Sequence, residues 1–135
     1  MALAIVENYF EDARACLETA LGQRLGAREG TSFLRYDTGG FYLPHRDRGS
    51  VAGWPAAARR SVAVVLFLND SRAISTDGEF DGGELTFYPD GARPYELVPA
   101  AACLAAFPAS VLHEVRPVRD GVRAAAVDWF YDWAE

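Results

Sequence analysis

The sequence predicts an all-β core of jelly-roll type preceded by a single amphipathic helix, and three observations carry that prediction. Helical periodicity is confined to the first twenty or so residues. After it the chain breaks into about eight short apolar runs separated by Gly, Pro and Asp turn signals, the pattern of a closed antiparallel double sheet. The only two histidines, His45 and His113, fall in two of those runs far apart in sequence, and His45 stands two residues before Asp47.

Leu3, Val6, Phe10, Ala13, Leu17 and Leu21 recur at helical spacing and predict one helix over about 2–21, ending before Gly22 or Gly26. A stripe of that kind is a packing face, so the helix is expected to cover one sheet. Strands are expected at about 31–36, 41–46, 61–69, 84–88, 95–98, 101–107, 112–118 and 123–131, giving a β core over about 31–131. Two segments are too polar and glycine-rich for strands: Arg48 to Arg59, directly after the His45 motif, and Asp70 to Gly82. Both are expected to be loops, the first a substrate lid in which Trp54 either anchors the lid or pins the loop to the surface. With 135 residues, half of them hydrophobic, and no linker or repeat, the expectation is one domain spanning 1–135.

On an extended strand His45 and Asp47 project from one face, so a single metal can take both. If a strand carrying His113 returns alongside the first, two imidazoles and one carboxylate occupy three corners of an octahedron, as a non-haem Fe(II) site requires. Ten residues on, Arg123 follows Asp120-Gly121, where a turn is expected, and opens a returning strand. An inward guanidinium in an apolar barrel calls for an anion, and its planar fork matches a carboxylate bidentately.

The order Tyr36, Phe41-Tyr42, His45-x-Asp47, Val64-Val65-Leu66-Phe67-Leu68-Asn69, Gly82-Gly83-Glu84-Leu85, His113-x-x-x-Pro117-Val118-x-x-Gly121-x-Arg123 and Trp129 resembles the Fe(II)- and 2-oxoglutarate-dependent dioxygenases of prolyl 4-hydroxylase type. It runs from about residue 32 to 131. The resemblance implies a double-stranded β-helix, the cupin-like form of the jelly roll. It implies Fe(II) and 2-oxoglutarate as cofactors with O2 as co-substrate, and oxidative decarboxylation to succinate and CO2 coupled to substrate hydroxylation. It makes His45, Asp47 and His113 the iron ligands and Arg123 the partner of the distal 2-oxoglutarate carboxylate. Tyr36, Phe67, Leu85 and Val127 fall at positions around the cosubstrate, and Tyr42, Arg60 and Trp129 at positions near the substrate, beside Trp54 in the lid. Phe67 departs from relatives that carry tyrosine there, and removes one hydrogen bond to the distal carboxylate, about 0.5–1.5 kcal/mol. Because Asp47 is retained where halogenating relatives have a small residue, hydroxylation of a prolyl or other amino-acid or peptide substrate is the expected reaction. The alternatives are a cupin-like metal dioxygenase without a keto-acid cosubstrate, which has no need of Arg123, and a non-catalytic peptide-binding barrel.

A net charge of −6 argues against the phosphate contacts of nucleic-acid binding. The start of the chain lacks a basic, then apolar leader pattern, and the apolar run Val98 to Leu112 is broken by Pro99 and Pro108, so neither signal peptide nor membrane span is expected. Cys16 and Cys103 have neither metal spacing nor a disulfide framework and are expected as small buried hydrophobes in a reducing, cytoplasmic setting. Glu79, Asp81, Glu84, Asp128, Asp132 and Glu135 are read as surface charge. With both imidazoles assigned to metal, no histidine remains to activate a serine. Oligomeric state leaves no mark on the sequence.

Overall fold

The computed structural model describes residues 1–49 and 53–134. Helix α1 spans Ala2–Leu21 and stops at Gly22, whose left-handed φ of 65° lets the backbone close on the Glu18 carbonyl. Eleven strands follow among the described residues: β1 Leu25–Arg28, β2 Ser32–Tyr36, β3 Tyr42–His45, β4 Arg60–Phe67, β5 Phe80–Gly82, β6 Leu85–Tyr88, β7 Tyr95–Leu97, β8 Leu104–Pro108, β9 Leu112–Val115, β10 Val118–Gly121 and β11 Arg123–Asp132. A five-stranded sheet has the order β1-β11-β4-β8, with β2 also paired to β11; a four-stranded sheet has the order β3-β9-β6-β7; β10 and β5 form a ribbon. All of these strand pairs are antiparallel. The architecture is the jelly roll that the strand pattern predicts.

Strand alternation divides the core in two. Val62, Val64, Leu66, Ala126 and Phe130 face outward from the larger sheet and are covered by Val6 and Phe10 of α1, with Leu25. Ala63, Val65, Phe67 and Ala125 face inward against Leu85 and Val115 of the smaller sheet and Phe107 of β8. The helix is also tied by polar contacts: Arg14 donates to the carbonyls of Leu25 (3.0 Å) and Gly26 (2.8 Å), and the Leu25 N–H donates to Glu18 (2.8 Å).

Several expectations need correction. β1 was not foreseen, and β5 lies inside the segment read as a loop, held as a strand by the full burial of Phe80 and by pairing with β10. The run expected as one strand over 112–118 breaks at Arg116-Pro117, and Asp120-Gly121 pair with Asp81 and Phe80 rather than turning the chain. Residues 101–103 form a turn ahead of β8, and Pro55–Arg59 form a short 3₁₀ helix within the first expected loop. Cys16 and Cys103 are exposed thiols, not core residues. Cys16 falls off the stripe of Val6, Phe10 and Leu17, and Cys103 sits in the turn before β8. Asp128 is completely buried: it shares the outward face of β11 with Ala126 and Phe130 and accepts from Arg28 (2.6 Å), Thr31 (3.2 Å) and the N–H groups of Gly30 (2.9 Å) and Trp129 (2.7 Å). Asp132, by contrast, pairs with Arg48 at the surface. Glu135 and residues 50–52, part of the segment expected as a lid, lie outside the described residues. Among those described, no helix is long and apolar enough to cross a membrane.

Candidate active site

β3 and β9 lie side by side with His45 directly opposite His113, and the two imidazole centroids are 4.3 Å apart. In each ring Nδ1 faces a backbone carbonyl two residues upstream, Leu43 at 2.7 Å for His45 and Val111 at 2.9 Å for His113. That contact fixes the tautomer with the proton on Nδ1 and leaves the Nε2 lone pair toward the interior. Both Nε2 atoms converge on Asp47 Oδ1, at 3.1 Å and 3.5 Å. The donor atoms of all three side chains lie within 4.8 Å of one another. The other carboxylate oxygen is held from behind: the Trp129 indole N–H donates to Asp47 Oδ2 at 2.9 Å.

The electrostatics suit a divalent cation. Burial would raise the Asp47 carboxyl, but His45, His113 and the Trp129 indole outweigh it and hold the group below its ordinary value, as an anion. Burial also disfavours charge on both imidazoles. At His113 burial prevails over the pull of Asp47 and pushes the pKa down, whereas at His45 the Asp47 carboxylate and Leu43 carbonyl prevail and raise it. Two nitrogens and one carboxylate oxygen, oriented from behind and converging on one point, fit Fe(II) in chemistry and in arrangement.

The triad opens into a cavity of about 440 Å³ between the two sheets. Tyr36, Tyr42, Trp54, Arg60, Leu85, Arg123, Val127 and Trp129 line it, so all but one of the residues the sequence nominated around the metal share its wall. Phe67 is the exception: it is buried in the inward core and packs behind Arg123, its ring centre 5.5 Å from the guanidinium carbon. Arg123 is only 2% exposed, and its one hydrogen bond among the described residues runs from Nε to the Gly83 carbonyl at 2.8 Å. The Tyr36 ring centre stands 5.2 Å from the same guanidinium carbon. Burial lowers its pKa to about 10, against the opposing charges of Tyr36 and Glu84, so it remains a cation at neutral pH, bonded to no carboxylate among the described residues.

Two residues matter here that sequence reasoning did not single out. Gly83, in the link between β5 and β6, has φ +67°, and a Cβ there would stand 2.7 Å from Arg123 Cδ, so glycine is what lets this link lie against the guanidinium. Glu29 accepts from Arg60 Nε and Nη2, both at 2.8 Å. Burial would raise its carboxyl, but Arg60, with Trp54 and Tyr131 close by, outweighs that and holds it ionised. Gly83 stood within a quoted motif without a role; Glu29 carried no signal beyond its place before Gly30.

The model of the 2OG-Fe(II) oxygenase superfamily matches residues 31–131. A PKHD-type hydroxylase of Nitrobacter winogradskyi is 37% identical over 99 residues, covering 72% of this chain and 41% of that protein. One from Parvibaculum lavamentivorans is 34% identical over 99 residues, covering 72% and 41%. The chain therefore spans about two fifths of the length of these curated relatives. Among solved structures, a Pseudomonas putida prolyl-4-hydroxylase superposes with a TM-score of 0.70 at 28% identity, over 92% of this chain and 63% of its own. A Trichoplax adhaerens prolyl hydroxylase, solved with a peptide fragment of the hypoxia inducible factor oxygen degradation domain, shares the fold at TM-score 0.65 and 21% identity, over 87% and 54%.

Proposed function

The chain belongs to the 2OG-Fe(II) oxygenase superfamily, and from that premise we propose that it hydroxylates a prolyl or other amino-acid residue, free or within a peptide, with 2-oxoglutarate converted to succinate and CO2. The whole of 1–135 acts as one domain in this reading. The observation that carries it is the sharing of one cavity by the His45, Asp47 and His113 donors and by Arg123, a buried cation bonded to no carboxylate among the described residues. A keto-acid-independent dioxygenase has no use for that guanidinium.

In this reading His45, Asp47 and His113 hold Fe(II), which when bound supplies the activation of O2 that no side chain can perform. Arg123 takes the distal carboxylate of 2-oxoglutarate and sets the direction in which the keto acid lies. The low dielectric around Arg123 strengthens that pairing, and binding of an anion relieves the cost of its burial. Leu85 and Val127 form apolar walls that keep water from the cosubstrate chain, and Tyr36 covers the guanidinium. Phe67 contributes bulk behind the site and no hydrogen bond. Tyr42, half exposed with its ring tilted over His45 at 4.0 Å between centroids, and Trp54, equally exposed, form an aromatic mouth suited to an amino-acid side chain presented from solution. The net charge of −6 supports such a substrate over a nucleic acid.

The test is an anaerobic titration with Fe(II) and then 2-oxoglutarate, following the visible charge-transfer band of a chelated keto acid. The expected result is a band in the wild-type protein, none in His45→Ala, and one needing far more 2-oxoglutarate in Arg123→Ala. Iron uptake with no band in the wild-type protein would replace this reading with the keto-acid-independent one.

A further inference from the structure

The resemblance puts Arg60 near the substrate, yet its guanidinium is engaged by other groups of the chain. Two of its nitrogens are held by Glu29, a third donates to the Asp47 carbonyl at 3.2 Å, and its Cζ lies over the Trp129 ring, 3.8 Å from the ring centre. The ion pair is secluded, with side chains 11% and 10% exposed for Arg60 and Glu29. Glu29 is itself fixed to the same strand, its N–H donating to the Trp129 carbonyl at 2.9 Å. The indole that Arg60 covers is the one that donates to Asp47 Oδ2.

We propose that Glu29 is a positioning residue for the metal ligand Asp47, acting through Arg60 and Trp129, and that it withdraws Arg60 from substrate recognition. The inference rests on the reading of Asp47 as a ligand. Two physical effects make Glu29 necessary. Stacked under a clamped guanidinium, the indole keeps the plane in which its N–H meets Oδ2, and such supports behind a ligand govern metal affinity by 10- to 100-fold. With Glu29 neutralised, Arg60 becomes a nearly buried cation whose nearest anion is Asp47, and the guanidinium then competes with the metal for that carboxylate.

The experiment measures Mn(II) binding by the electron paramagnetic resonance of the free ion in the full chain, together with hydrogen exchange of the Trp129 indole N–H in metal-free protein, assigned by its loss in Trp129→Phe. Glu29→Gln, nearly isosteric, is expected to weaken Mn(II) binding about tenfold or more and to speed indole exchange. Arg60→Gln combined with Glu29→Gln leaves no unpaired charge, so it also serves if the single variant folds poorly; it is expected to lose no more affinity than Arg60→Gln alone. Unchanged Mn(II) affinity and indole exchange in Glu29→Gln overturn the proposal, as do penalties at Glu29 and Arg60 that simply add. A wild-type protein that takes up no Mn(II) overturns the metal reading and this proposal with it, whereas wild-type uptake with an indifferent Glu29→Gln overturns this proposal alone.

Discussion

Arg123 and Gly83 form one device. The guanidinium is buried against a carbonyl that only a left-handed glycine can present, and no side chain can be added without moving Arg123. Gly83→Ala is expected to weaken 2-oxoglutarate binding by about tenfold, roughly 1.4 kcal/mol, through displacement of Arg123, while Mn(II) affinity stays at the wild-type level. Titration of each ligand separately checks this, and a parallel loss of metal would place Gly83 in the general stability of the fold instead. At this scale the sequence was most legible where chemistry is rare. Two histidines, one H-x-D spacing and one inward arginine leave few arrangements, and the structure brings all four side chains to one cavity. Common residue types were less readable. Asp128 looks like any C-terminal acidic residue, and its burial depends on Arg28, Gly30 and Thr31, which nothing local connects to it. Arg60, nominated near the substrate, lines the cavity, but its partner Glu29 is 31 residues away and nothing local connects the two.

Helix α1 holds to the sheet by a narrow apolar contact at Val6 and Phe10 and by a charged seam at its side. Glu11 accepts from Arg14 (2.9 Å) and from Arg28 of β1 (2.8 Å), and Arg28 continues to Asp128. The hydrogen bond from Arg14, opposed by burial and aided by Arg28, lowers the Glu11 carboxyl from 4.5 to about 2. Because the folded value is the lower one, the seam contributes fully above about pH 4.5 and is lost as the pH falls toward 2. Glu11 is nearly half exposed, so screening keeps the effect to about 0.2–1 kcal/mol. Glu11→Gln is therefore expected to be less stable than wild type at pH 7 by that amount and equal to it near pH 2, as denaturant unfolding at the two pH values will show. An undiminished difference at pH 2 would mean that packing, and not the charge, is lost. The helix was readable because its period runs for five turns, and the long strands because they are apolar. β5 and β10 were not, since Phe80–Gly82 and Val118–Gly121 are polar, glycine-bearing segments made into strands by each other. Pairing of that kind is a tertiary fact without a local period.

The site draws on both sheets of the molecule at once. His45 and His113 come from neighbouring strands of the smaller sheet, and Arg123 and Trp129 from the central strand of the larger one, about 20 Å apart along β11. Which strands would neighbour which could not be read from order along the chain, because β3 pairs with β9 and β4 with β11 across about half the sequence. This construction has a thermodynamic consequence. In the proposed reading, metal held by the smaller sheet and a keto acid held by Arg123 would together clamp the two layers, and ligands that bind only the folded protein raise its stability by mass action. At a hundredfold excess over each dissociation constant, each ligand adds about 2.7 kcal/mol, a rise in melting temperature on the order of 10 °C for a chain of this size. Anaerobic melting with Mn(II) alone is expected to raise the midpoint once, and 2-oxoglutarate to raise it again in wild type. In Arg123→Ala, at the same concentrations, the first rise stays and the second falls away. A second rise that survives in Arg123→Ala would show that the keto acid is held from the metal side only, and that the two sheets are not bridged through the guanidinium.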